Sequence, residues 1–144
     1  MKASIKNIVS AYKALGEAKV TKLEESEVVK VVKARKAMRP IADDFDAFLK
    51  DCQEKFKPEN WDEVQEKVQQ WQKEGENTTL SEAERVDINK TLVEYQRKID
   101  AAMKDELARE VEVSVETMKE ESATKMLVEN GWELKKLDEI EIIC

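Results

Sequence analysis

The sequence contains no histidine. This removes the commonest general base, the commonest zinc ligand and every Ser-His or Cys-His nucleophile arrangement. Glycine occurs only at Gly16, Gly75 and Gly131, too scattered for the G-x-G-x-x-G or G-x-x-x-x-G-K-[ST] loops that cradle phosphates. With just two prolines beside them, the chain has few of the residues that punctuate a turn-rich sheet protein. Cys52 and Cys144 are far apart in sequence, so they form no closely spaced metal or redox pair and read as reduced thiols. No apolar run approaches the roughly 20 residues of a membrane span, and none of signal-peptide length follows the start. The expected location is the cytoplasm, with no membrane partner.

What is abundant is charge. Of the 144 residues 40% are charged and 41% hydrophobic, a balance that suits amphipathic helices with one solvated face. The net charge of −7 is unevenly spread: residues 1–50 sum to +4, residues 51–100 to −5 and residues 101–144 to −6. The simplest account is that the basic N-terminal helices lie against acidic surface of the same chain or of another copy. A sharper alternative is a nucleic-acid or phosphate-binding face made of Lys30, Lys33, Arg35, Lys36 and Arg39. Three-residue steps drift around a helix, so Lys30, Lys33, Lys36 and Arg39 spiral and do not form one stripe; nucleic acid is therefore not the favoured partner.

Helical spacing dominates the chain. Ile5, Ile8, Val9, Tyr12 and Leu15 predict a first helix that Gly16 stops. Thr21-x-x-Glu24 and Ser26 offer caps for a second helix beginning between residues 21 and 27. Its seam, Val31, Ala34, Met38, Ile41, Phe45, Phe48 and Cys52, alternates steps of three and four residues over three heptads. Pro40 predicts a kink or a two-piece helix, because proline removes a backbone donor and crowds the carbonyl four residues earlier; the apolar phase continues across it. Asn60-x-x-Glu63 predicts a third helix with Trp61, Val64, Val68 and Trp71 inward and Gly75 as its end. Ser81-x-x-Glu84, with Leu80 before it, predicts a long fourth helix through Ile88, Leu92, Tyr95, Ile99 and Leu107.

After Ala108 the period falls to two at Val111, Val113 and Val115, the mark of a half-buried strand. Thr117-x-x-Glu120 then predicts a short helix carrying Met118, Ala123, Met126 and Leu127, ended by Asn130-Gly131. Residues 132–144 read as a short helix and a strand able to pair with 111–115. The expected fold is mainly α: a helical hairpin or bundle with long heptad-like helices over residues 1–108, and a small strand-helix-strand element over 109–144, all in a single domain.

Carboxylates are numerous enough that metal chemistry needs a direct check. Asp43, Asp44 and Asp46 lack the central glycine and terminal glutamate of a calcium loop. A Glu-Glu-x-x-Glu plus Glu-x-x-Asp magnesium arrangement finds its second half in Glu59 to Asp62, but Val28 stands where the third glutamate of Glu24-Glu25 belongs. No cofactor, catalytic residue or metal ligand is assigned. Trp61 and Trp71 share one seam and read first as core or rim packing, and alternatively as an exposed anchor pair for a partner.

The order of elements, with a Lys-rich helix running into Ala34-Arg35-Lys36-Ala37-Met38-Arg39-Pro40 and Glu110-Val111-Glu112-Val113 after the long helix, resembles a family of small phage-encoded helical proteins of unknown function. The resemblance implies a phage or prophage origin and supplies no site residues. The expectation is a non-enzymatic interaction or assembly protein, with a protein partner and self-association as a homodimer. Its candidate partner surface is Trp61, Trp71, Lys30, Lys33, Arg35, Lys36 and Arg39. A carboxylate-based metal-dependent enzyme and nucleic-acid binding through the basic third remain the alternatives.

Overall fold

The computed structural model describes residues 1–133 and Lys136. The chain is mainly helical, in the order β1 (Lys2–Ser4), α1 (Ile5–Glu17), α2 (Glu25–Lys55), α3 (Trp61–Glu74), a 3₁₀ turn (Gly75–Asn77), α4 (Glu82–Ala108), β2 (Glu110–Glu112) and α5 (Glu120–Asn130). No described helix is long and apolar enough to cross a membrane. Two compact units divide the residues: Met1–Ala47 together with the chain from Asp105 onward, and Phe48–Lys104.

The first unit joins the N-terminal part of the chain to residues that follow α4. The reason is a short antiparallel pairing of β1 with β2, Lys2 opposite Glu112, Ala3 opposite Val111 and Ser4 opposite Glu110. Three residues of β1 are too few to show a strand period, and this strand escapes sequence reading. The strand expected from the tail lies outside the described residues; within them, β1 is the partner of β2. Ile8, Ala11 and Leu15 of α1, Val31, Ala34 and Met38 of α2, and Val113, Met118 and Met126 from the C-terminal part form one buried cluster.

Three expected helix signals act differently from their sequence reading. Gly16 does not stop α1, which continues to Glu17 and ends at an extended Ala18. Thr21 does not cap α2; its hydroxyl donates to Glu129 instead. Nor does α2 break at Pro40, since the helix runs from Glu25 to Lys55 with the proline inside it. Pro40 is exposed, so the missing hydrogen bond falls on the side of the helix where water can serve the freed carbonyl. The seam keeps its phase: Val31, Ala34, Met38, Phe45 and Cys52 are buried, and Ile41 and Phe48 are half-buried.

In the second unit Val64, Leu80 and Ile88 form the buried centre, with Val68, Trp71 and Leu92 packed against it. Gly75 ends α3 at φ 61°, a left-handed backbone that side-chain-bearing residues seldom adopt. The capping box of α4 forms as its sequence predicts: the Glu84 N–H donates to Ser81 Oγ at 3.1 Å and the Ser81 N–H to Glu84 Oε1 at 3.4 Å. Ser81→Ala removes the first of these bonds and should lower stability by about 0.5–2 kcal/mol. Chemical denaturation of the variant checks this; an unchanged midpoint would mean that water serves the Glu84 amide equally well.

Candidate functional site

The cationic part of α2 separates into two groups once the helix is folded. Val32, Arg35, Lys36 and Arg39 line one surface groove of about 300 Å³. Their spacing of three, four and seven residues from Val32 puts them on a single helical face. Lys30, Lys33, Lys36 and Arg39 spiral as their three-residue steps predict; with Arg35 in place of Lys30 and Lys33 the cations form a stripe. Lys33 is exposed and lies outside the groove lining.

Lys30 belongs to the other group. Its ammonium lies 3.1 Å from Glu27 Oε1 and 4.0 Å from Glu116 Oε1, with only 19% of its side chain exposed. By contrast Arg35, Lys36 and Arg39 form no ion pair with a carboxylate among the described residues, although acids outnumber bases in the chain.

Tyr12 of α1 organises the two arginines. The Arg35 guanidinium sits over its ring, 4.6 Å from the centroid, and Arg39 Nε donates to the Tyr12 hydroxyl at 3.4 Å. That hydrogen bond, ahead of the attraction of the nearby Asp43, holds Arg39 still further toward its charged form. Gly16 explains itself here: a Cβ at this position would lie 2.9 Å from Arg35 Nη2. The glycine leaves room for the guanidinium, which is a packing reason and not a helix stop. Arg35 Nε is shut off from solvent with no hydrogen-bond partner among the described residues.

Glu27 is the one fully buried charged side chain among the described residues. Besides Lys30, it accepts from the backbone N–H of Lys119 at 3.2 Å, the N-cap residue just before α5, whose own side chain makes no cap hydrogen bond. A carboxylate reaching in from another helix thus does what Thr117 was expected to do, and it meets the positive end of the helix dipole. Burial pushes the Glu27 carboxyl upward, but the hydrogen bonds from Lys30 and Lys119 and the charges of both lysines outweigh it and hold the group below its ordinary value. The sequence did carry a signal for this: Glu27 precedes Val31 by four residues, in phase with Ala34 and Met38, and is a charge on the apolar seam.

The far end of α5 is tied to the α1–α2 loop. Asn130 accepts from the Lys19 N–H at 2.6 Å and donates to the Lys19 carbonyl at 2.8 Å, and Glu129 accepts from the N–H groups of Thr21 and Lys22 at 3.2 and 3.1 Å. The Thr21 hydrogen bond, the largest cause, helps to hold the Glu129 carboxyl below its ordinary value. These contacts fix the loop that leads into α2. They use backbone groups and Thr21, leaving Val20 and Leu23 beside Val28 and Val29 to line a second groove of about 520 Å³.

The tryptophans stand in the second unit and are not an exposed pair. Trp71 packs on the Val64, Leu80 and Ile88 cluster, while Trp61 meets Tyr95 at 4.5 Å between ring centroids with a 42° tilt. Both are half-buried, matching the packing interpretation of their seam. Among the described residues no three acidic or cysteine side chains are gathered so as to hold a metal ion. The chain matches no family model, no curated protein and no solved structure.

Proposed function

We propose that this chain is a non-enzymatic interaction module, an accessory or assembly protein that acts by binding other proteins and copies of itself. The observation that supports this best is the set of valines left in water on its two long helices. Val29 and Val32 on α2 are 48% and 62% exposed, and Val86 and Val93 on α4 are 60% and 65% exposed. Each pair shares a helical face by its spacing, and grooves adjoin them: Val32 lines one with Arg35, Lys36 and Arg39, Val29 another with Val20, Leu23 and Val28, and Val86 a third on α4 with Glu82, Ala83, Asp87 and Lys90. Isolated surface valines need no explanation, but aliphatic side chains aligned beside a groove are what a partner covers. A phage or prophage accessory role is the setting that the sequence resemblance implies.

Self-association is the accessible test. Sedimentation over a wide concentration range should show a reversible shift from monomer to dimer, weakened by Val86→Lys or Val93→Lys through the cost of burying an ammonium in the contact. Host-lysate capture with the full chain as bait tests for other partners. A monomer at every concentration together with an empty capture would overturn the reading, as would nucleotide turnover with magnesium or manganese.

A further inference from the structure

We propose that the α2 face from Val29 to Arg39 is a docking surface for an acidic segment of a partner protein. Its carboxylates meet Arg35, Lys36 and Arg39, and an aliphatic side chain covers Val29 and Val32. The proposal rests on the interaction-module reading and specifies the partner chemistry of one of its surfaces.

Charge is the first argument. Three cations on one helical face lack carboxylate partners among the described residues, while Lys30, on the same helix, is paired twice. Asp43 acts on Arg39 from the next turn but forms no ion pair with it. The groove therefore carries a local positive surplus inside a chain of net charge −7.

Preorganisation is the second. An arginine side chain ordinarily loses rotamer freedom when it binds an anion, but the Tyr12 ring and the space over Gly16 already hold the Arg35 guanidinium in place. Tyr12 also accepts from Arg39, so two planar guanidinium groups are brought to one locus. Such groups match the two oxygens of a carboxylate better than a lysine does.

The third argument selects peptide over nucleic acid. A phosphate backbone has no use for exposed Val29 and Val32, and single-stranded binding relies on open aromatic faces for base stacking. The Tyr12 face that lies toward the groove residues is covered by Arg35. An acidic peptide with interleaved aliphatic residues fits both halves of the surface, the valines as the dry centre and the cations as the steering rim.

The test is fluorescence anisotropy of the full chain with a short labelled peptide of glutamates interleaved with leucines. Control probes are the same peptide with glutamine for glutamate, and an oligothymidylate of equal charge. The wild-type chain should bind the acidic peptide, more weakly as salt rises, and bind the glutamine peptide and the oligothymidylate much less. Arg35→Ala and Arg39→Ala should each weaken binding roughly tenfold or more, and Lys6→Ala, at a cation lining neither groove, should not. Gly16→Ala is the sharper variant: it retains every charge and favours helix, yet its methyl displaces the Arg35 head, so binding should weaken with no fall in melting temperature. An acidic peptide that is not bound, or is bound equally by the arginine variants, overturns the proposal. So does tighter binding of the oligothymidylate, which transfers the face to nucleic acid. A chain that captures partners or self-associates but ignores the peptide overturns this surface alone and leaves the interaction reading standing.

Discussion

Met38→Ala should lower the folding stability by about 2–5 kcal/mol, the usual cost of truncating a fully buried large side chain. Met38 is 0% exposed and joins the cluster formed by α1, the first half of α2 and the residues after β2. Those elements come from both ends of the sequence, so a cavity there loosens contacts that no local refolding of α2 can replace. The loss corresponds to a fall of roughly 10 °C in melting temperature for a chain of this size. Because the residues divide into two compact units, calorimetry should place the shift in the transition of the first. Val32→Ala, on the exposed face of the same helix, is the control and should stay within about 0.5 kcal/mol. Equal melting temperatures for the two variants would remove Met38 from the core.

The second large effect is at Glu27. Glu27→Ala leaves the Lys30 ammonium without its nearest carboxylate and the Lys119 N–H without its acceptor, and breaking one side of a buried pair is far more damaging than never having formed it. Glu27→Ala should therefore be markedly destabilising, and Glu27→Gln less so, because the amide oxygen still accepts from Lys119. The double variant Glu27→Leu with Lys30→Met should recover much of the loss, since an apolar pair carries no charge to desolvate. A double variant no better than Glu27→Ala would show that the cap on α5 matters more than the charge pair.

The carboxylates at the two ends of α5 set a pH dependence with a definite sign. The folded carboxyls of Glu27 and Glu129 are both held below their ordinary value, Glu27 against its burial and Glu129 chiefly by Thr21. Their stabilisation is therefore fully present above the ordinary glutamate pKa of about 4.3 and is lost as pH falls through the lower folded values. Glu27→Gln should make this acid limb shallower, leaving the part due to Glu129, with no new slope in the neutral range.

Much of the helical layout was legible before folding. The Ser81 and Glu84 spacing, the seam from Val31 to Cys52 and the positive-φ stops at Gly75 and Gly131 depend on neighbours within a few turns, and the structure has them where the spacing puts them. The misreadings share one cause. Gly16, Thr21 and Thr117 are residues whose types suit local stops and caps, yet each local role was displaced by a partner distant in sequence: Arg35 over Gly16, Glu129 on Thr21 and Glu27 at the start of α5. At Pro40 the helix stays in one piece and its apolar phase continues, as the spacing predicts; an exposed helix face tolerates the lost hydrogen bond that a buried one would not.

The sequence by itself determined that this chain is helical, histidine-free and charged on its outer faces, because composition and three-to-four-residue spacing act within single elements. Only the tertiary structure decided that residues before Ile41 and after Glu110 share a core, that Glu27 is a buried cap, and that Lys30 is neutralised while Arg35, Lys36 and Arg39 have no carboxylate partner among the described residues. Which like-typed residue is paired depends on contacts across many residues of sequence, and the alternatives differ by burial and partner geometry, quantities that spacing along one helix does not contain.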